Sequence, residues 1–290
     1  MKKYPSIGQF RNVIKTVRTN HDYKGKDEQG SPIYEHTEKY PTLKFKGTVK
    51  AHVTNGAIVK YADGSIKYQS RERELSLLSD NAGFYLNISN INFDNLFNAF
   101  EFKDYIAIYG EWCGGNIQKG VALNQLPKMF IIFALKIDDV WVHTDYQDNH
   151  NGIYNIEQFG NYDIDIDFEN PELIQNTLID MTTQVEEECP IGKYFGVSGI
   201  GEGIVFTCES NPDLKFKSKG EKHSSSKVKV LNSVDTEELE NLKEFIDYAV
   251  TENRLQQGKK FFLENGIELH QKNTGVFISW IVKDILKEES

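Results

Sequence analysis

The sequence predicts an α+β chain, mainly antiparallel β-sheet as far as about residue 230 and then a small all-α segment. Three observations predict this. Short alternating apolar runs recur through the first part, turn-forming pairs punctuate them, and the last sixty residues follow the 3.6-residue helical period. In chain order, a helix is expected over residues 5–19. KAHVTNGAIVKYADGSIKYQS (50–70) reads as a meander, with Asn55-Gly56 and Asp63-Gly64 each expected to close a hairpin because both pairs accept positive φ. FKDYIAIYGEW, MFIIFALKI with the turn Asp138-Asp139 and VWVH, GIVFTCES, and LKFKSK after Asn211-Pro212-Asp213 supply further strands. PELIQNTLIDMTTQVEEE (171–188) is a second helix. Beyond the polar run KSKGEKHSSSK, Asp235 and Glu238 form a capping box, and Leu239, Leu242, Phe245, Ile246, Ala249 and Val250 line one helix face. Two domains are therefore expected, residues 1–230 and 231–290.

With 290 residues and 39% hydrophobic content the chain can bury one large core or two. Its three cysteines, Cys113, Cys189 and Cys208, form neither an even disulfide set nor a close metal-ligand pair. No apolar h-region follows MKKYPSIGQF, and no apolar run approaches the roughly 18 residues of a membrane span. A soluble, cytoplasmic protein without membrane partners is expected.

The net charge is −10, yet residues 1–60 hold twelve Lys and Arg against five acids, a local +7, whereas residues 138–190 hold fourteen acids and no Lys or Arg. A basic working face and an acidic outer face explain that segregation, since an anionic ligand needs only local positive potential. DIDIDFEN (163–170) alternates acids as a calcium loop does, but lacks the glycine and glutamate such a loop requires, and reads as an exposed strand. GVSGIGEGI lacks the Gly-Lys-Ser/Thr ending of a phosphate loop and reads as tight bends.

Residues 42–49, TLKFKGTV, place two lysines inside a stretch with the pattern of a buried strand. An ammonium removed from water must be paired or lose its proton, and an amine becomes a nucleophile only after desolvation or neighbouring cations lower its pKa. Lys44 or Lys46 is then either a solvated charge on a strand face or a nucleophile. Gly47 leaves room for a ligand to approach the backbone. The spacing Lys-x-x-Gly selects nothing alone, because it begins at Lys44, Lys193, Lys217 and Lys272.

The order of the segments after Lys44 is more specific. Ser70-Arg71, IYGEWCGGNIQKG, MFIIFALKI, EGIVF and LKFKSK arrive in a series that resembles the covalent nucleotidyltransferases. The run from Gly110-Glu111-Trp112 to Ile117-Gln118-Lys119, with KYPSI near the start and VTENRL at 250–255, is similar to the RNA ligase 2 branch of ATP-dependent polynucleotide ligases. The resemblance implies an antiparallel nucleotidyltransferase (ATP-grasp-like) domain, ATP as AMP donor, Mg2+ or Mn2+, and an RNA substrate with 5′-phosphate and 3′-OH ends. It implies Lys44 as the nucleophile that forms lysyl-AMP, Lys215 and Lys217 as phosphate clamps, and Arg71 on a phosphate of the RNA end. Glu111 and Glu202 would hold metal or ribose, Gly47 would border the nucleotide, and Phe133 would stack on adenine while Phe130 packs in the core. A monomer with a role in nick sealing or RNA repair, of phage origin, fits the same resemblance.

Two departures stand out. The branch commonly has a histidine two residues after the nucleophile, where Lys46 follows Lys44, and Leu43 precedes Lys44 in place of an acid. HDYKGKDEQGSPIYEHTEKY (21–40) reads as an inserted loop able to cover the site. A DNA ligase or mRNA guanylyltransferase, and a nucleotide- or RNA-binding module that does not seal, stay open as alternatives. In the helical segment Arg254 is either a phosphate contact or a helix C-terminal cap.

Overall fold

The computed structural model describes residues 1–51, 53–115, 117, 121–220, 222 and 236–288. The chain divides into two compact units, Met1–Ser233 and Val234–Ser290. Gln118, Lys119 and the capping residue Asp235 lie outside the described residues, as does the Glu238 side chain.

In the first unit, α1 (Phe10–Asp22) leads into a two-stranded antiparallel ribbon, β1 (Tyr23–Lys26) and β2 (Pro32–Tyr34), formed by the inserted segment. β3 (Thr42–Val49) then enters one sheet, while β4 (Thr54–Tyr61), β5 (Ile66–Ser70) and β6 (Glu74–Leu75) enter another. Two short helices, α2 (Phe84–Ile88) and α3 (Asp94–Phe97), precede β7 (Tyr105–Cys113), β8 (Met129–Ile137), β9 (Val140–Val142) and β10 (Ile153–Asn155). β11 (Asn161–Asp167), α4 (Gln175–Glu187), α5 (Pro190–Tyr194), β12 (Gly203–Cys208) and β13 (Lys215–Lys219) complete the unit. The larger sheet has the order β10-β8-β7-β4-β5-β6, with β9 on β8, and the smaller has β11-β3-β12-β13. All pairs are antiparallel except β10 with β8.

Burial follows the two-residue period of the strands. On the smaller sheet Phe45, Gly47, Val49, Ile204, Phe206 and Phe216 turn inward and pack with Phe10, Val13 and Val17 of α1 and Leu178 and Val185 of α4. The Phe206 and Phe216 rings stack at 4.9 Å, a contact worth about 0.5–1.5 kcal/mol beyond the area it buries. On the larger sheet Ile106, Ile108, Phe130 and Ile132 pack against Phe84 and Ile88 of α2 and Leu96 and Phe97 of α3.

The turn signals divide. Asp138 and Asp139 have φ of 45° and 67°, the positive values of a tight hairpin, and join β8 to β9. Asp63-Gly64 joins β4 to β5, with Gly64 at φ 85°. Asn55-Gly56 is not a turn. It lies within β4, where a Cβ on Gly56 would stand 2.7 Å from the Phe84 ring, so the glycine answers a close packing contact instead. The expected meander over 50–70 therefore begins at β4, and β3 belongs to the other sheet.

The second unit holds α6 (Thr236–Ala249), α7 (Glu252–Glu264) and α8 (Thr274–Glu288). Phe262 packs edge-on against Phe277 at 5.3 Å, and Phe261 stacks on Trp280 at 5.8 Å. Thr251 caps α7 by accepting from the Arg254 backbone N–H. Arg254 is not an exposed phosphate contact. Its side chain is buried, Nε donates to Asp284 Oδ2 at 2.8 Å, and Nη1 donates to the Ala249 carbonyl.

Candidate active site

The outer face of the smaller sheet is a grid of polar side chains fixed by strand register. One row reads Asp163, Lys46, Thr207, Lys215, and the next Asn161, Thr48, Val205, Lys217. A third is set where β3 ends, since the Lys50 N–H donates to the Gly203 carbonyl at 2.8 Å and Gly203 stands opposite Lys219. Because alternate residues share a face, Lys215, Lys217 and Lys219 point the same way while Phe216 and Ser218 are buried.

The third row carries the closest charge pairing. Lys50 Nζ stands 2.6 Å from Glu202 Oε2, and Lys219 Nζ stands 2.5 Å from Glu202 Oε1. The Glu202 side chain is 1% exposed. Burial acts to raise its pKa, but Lys50 and Lys219 outweigh burial and hold it below the usual carboxylate range. Glu111, from β7, answers the same cations differently. Burial, with Glu202 adding to it, lifts its carboxyl to about 7 against the attraction of Lys50 and Arg71. Among the described residues its Oε2 is buried with no hydrogen-bond partner, which is costly unless a ligand supplies one. Burial lowers the Lys217 pKa, and the charges of Lys219 and Lys50 lower it further. Arg71, just past β5, is exposed and donates from Nη2 to Ser6 Oγ at 2.9 Å. Lys50, Lys217, Lys219 and Arg71 against Glu111 and Glu202 leave a local charge of +2, suited to an anionic ligand.

An aromatic group flanks these charges. Between Tyr109 and Gly110 the register of β7 and β8 slips, so Phe133 is the unpaired residue of a bulge and its side chain is re-aimed. It packs edge-on against Tyr4 at 4.9 Å, and Tyr4 packs on Trp141 at 5.4 Å. Lys215 Nζ lies 3.8 Å from the Trp141 ring centre and 5.1 Å from that of Tyr4. Burial, with Lys136 adding to it, brings the Lys215 pKa down to about 8 against the pull of Asp213. Trp141 Nε1 donates to Asp213 Oδ1 at 2.7 Å and so ties the larger sheet to the β12–β13 turn.

The structure thus brings Glu111, Glu202, Lys217 and Arg71 together and sets Phe133 and Lys215 beside the aromatic group. It does not bring Lys44. That residue is exposed near the start of β3, in register with Asp165, and six residues of strand put it roughly 20 Å from Lys50. Lys46 pairs with Glu157 at 2.9 Å, away from both site carboxylates. Gly47 is on the inner face, where a Cβ would stand 2.6 Å from Phe206 Cε1 and 2.9 Å from Ile204 Cγ2, so the space beside it is filled by the core. Phe130 is fully buried.

Lys50 and Lys219 are the residues that motif spacing misses. Val53 stands three positions after Lys50, so Lys-x-x-Gly passes over it. The signal present is His52, two residues after Lys50, the histidine spacing of the resembling branch that Lys44 lacks.

Two largely antiparallel sheets with flanking helices make up the fold. Structures of Naegleria gruberi RNA ligase match it. The enzyme with PPi aligns at TM-score 0.48 and 15% identity, a mutant with AMP and Mn at 0.50 and 16%, and a mutant with ATP and Mn at 0.48 and 15%. Each match covers 77% of this chain and 57% of the other, so the chain spans little more than half the length of these neighbours. No family model matches the chain, and no curated protein matches it by sequence.

Proposed function

We propose that the protein is an ATP-dependent RNA ligase of the RNA ligase 2 branch, with Lys50 as its nucleophile. The observation that carries this reading is the Lys50 amine held 2.6 Å from Glu202 at the end of β3, beside Lys217, Lys219, Arg71 and Glu111. A purely nucleotide-binding module has no need of an amine so placed.

In the first step Lys50 leaves Glu202, surrenders a proton to solvent and attacks the α-phosphorus of ATP. The Nζ–P bond forms, the bond to the bridging oxygen breaks, and pyrophosphate departs with that electron pair. Negative charge grows on the α-phosphate and the leaving group, where Lys217 and Lys219 stabilise it. Phe133, on its bulge, would stack on the base. AMP then passes to a 5′-phosphate end, and a 3′-hydroxyl displaces it to close the phosphodiester. Mg2+ or Mn2+ would add positive charge at the departing pyrophosphate. The unpartnered Glu111 Oε2 fits such an ion, whereas each Glu202 oxygen already faces a lysine.

Residues 1–230 are in this reading the adenylyltransferase domain, and residues 231–290 help to hold the RNA. Arg11, Lys15, Arg18 and Tyr34, with Asp22, line a groove of about 450 Å³ on the first unit, a mainly basic surface suited to a phosphate backbone. Nick sealing or RNA repair by a monomer is the expected activity.

The test is incubation with ATP or GTP labelled at the α-phosphate, followed by assays on nicked RNA and nicked DNA duplexes. Covalent labelling from ATP and sealing of RNA are expected. Labelling from GTP alone would indicate a guanylyltransferase, sealing of DNA alone a DNA ligase, and binding without covalent label a non-sealing module.

A further inference from the structure

A second cluster of ligating side chains lies at the base of the β1–β2 ribbon, in the inserted segment. His21 and Asp22 end α1, and His36 follows β2, so the two sides of the ribbon meet here. The Glu35 N–H donates to the Asp22 carbonyl at 2.8 Å and holds the two chain segments together. One ligand atom from each of His21, Asp22 and His36 lies within 4.8 Å of the other two. His21 Nδ1 and His36 Nδ1 stand 3.3 and 3.1 Å from the same oxygen, Asp22 Oδ1. Ligands about 2.0–2.1 Å from a tetrahedral zinc ion are separated by about 3.3 Å, so these spacings need little adjustment.

The surroundings orient the set. Tyr40 Oη donates to Asp22 Oδ2 at 2.8 Å, which fixes the carboxylate and leaves Oδ1 toward the imidazoles. The His36 ring stacks on Tyr40 at 4.4 Å, and the His21 ring lies 5.1 Å from it. Arg18 lies over the Tyr40 ring and donates to the carbonyls of Phe168 and Glu169.

We propose that His21, Asp22 and His36 form a binding site for a first-row transition-metal ion of the Zn2+ class, which pins the base of the β1–β2 ribbon to the end of α1. Two imidazoles and one carboxylate favour such an ion over Mg2+ or Ca2+, which prefer sets made wholly of oxygen. Solvent completes the coordination through the exposed side of His36. Binding requires both imidazoles as neutral ligands. The site is separate from Lys50 and its partners and does not depend on the ligase reading.

The experiment is calorimetric titration of the full chain with Zn2+ at pH 7.5, in excess Mg2+ to occupy the Glu111 region, with thermal melting run in parallel. The wild-type protein should bind a single equivalent and melt at a higher temperature with Zn2+. His36→Ala and His21→Ala should each weaken that binding at least about 100-fold, and Tyr40→Phe about tenfold through loss of the carboxylate's orientation. Unchanged melting of the variants without metal would show that they fold. Cys113, Cys189 and Cys208 are all buried and do not compete. Zn2+ binding of equal affinity and stoichiometry in a His21→Ala/His36→Ala protein, or no binding by the wild type, would overturn the proposal.

Discussion

The two ends of β3 carry the same kind of residue in opposite settings. Near its start Lys44 is exposed and stands across from Asp165 at the rim of the sheet, whereas Lys50, just past its end, is largely covered and pairs with a buried carboxylate. What separates them is convergence. At the Lys50 end the start of β12 brings Glu202, the end of β13 brings Lys219, and β7 of the other sheet brings Glu111. At the Lys44 end β11 brings a row of alternating acids, and the end of β12 brings Glu209, whose N–H donates to the Lys44 carbonyl at 3.0 Å. A lysine becomes a candidate nucleophile through what the topology delivers to it, and the number of residues to the next glycine does not report that.

Substitution of Glu202 should break this contrast most strongly. Glu202→Ala leaves two ammonium groups without their buried partner, and labelling by ATP should fall at least about 100-fold. Chemical denaturation should also show a loss of up to about 3 kcal/mol, the low end for breaking a buried pair, since Lys50 and Lys219 keep some contact with water. Lys44→Ala should change neither quantity appreciably.

Lys217→Ala tests the row next to the carboxylates. It should lower the labelling rate by about 100-fold with little effect on stability, because Lys217 lies beside the site and fills no core space. Labelling at the wild-type rate would reduce LKFKSK to a solvated strand.

Gly47→Ala separates packing from chemistry on the same strand. The added methyl meets Phe206 and Ile204, so unfolding should become easier by about 1–3 kcal/mol while the folded fraction labels normally. A protein of full stability that had lost nucleotide affinity would return Gly47 to the ligand site.

The smallest expected effect is on pH dependence. The Glu111 carboxyl is raised to about 7 in the folded protein, above its unfolded value near 4.5, so the folded state holds its proton more tightly. Its ionisation therefore removes stability as pH rises from about 4.5 to 7, and the loss is complete above 7. Without divalent cation the wild type should lose stability across that window relative to Glu111→Gln, and the two should run parallel above it. Parallel curves throughout would mean that Glu111 ionises freely.

Much of the fold was legible because strand alternation and turn chemistry act locally. Asp138-Asp139 and Asp63-Gly64 are turns, and Ile164 and Ile166 are buried between exposed acids, as their local patterns require. Asn55-Gly56 misled because a glycine tolerated in a turn is equally suited to lie under a ring, and Phe84, which supplies that ring, is twenty-eight residues further along the chain. The candidates Glu111, Glu202, Lys217 and Arg71, which the structure gathers, were legible because each belongs to a recognisable run. Lys50 was not, since its surroundings come from β7, β12 and β13 and only His52 hints at it locally. Lys219 was overlooked because register alone decides which lysines of LKFKSK face Glu202.

The most direct test of the proposed chemistry is to find which lysine carries the nucleotide. The protein is incubated with ATP and Mg2+, digested, and the AMP-bearing peptide sequenced by mass spectrometry under conditions that preserve the phosphoramidate. AMP on Lys50 and no label in Lys50→Ala are expected. AMP on Lys44 or Lys46, or undiminished labelling of the Lys50→Ala protein, would contradict Lys50 as the nucleophile.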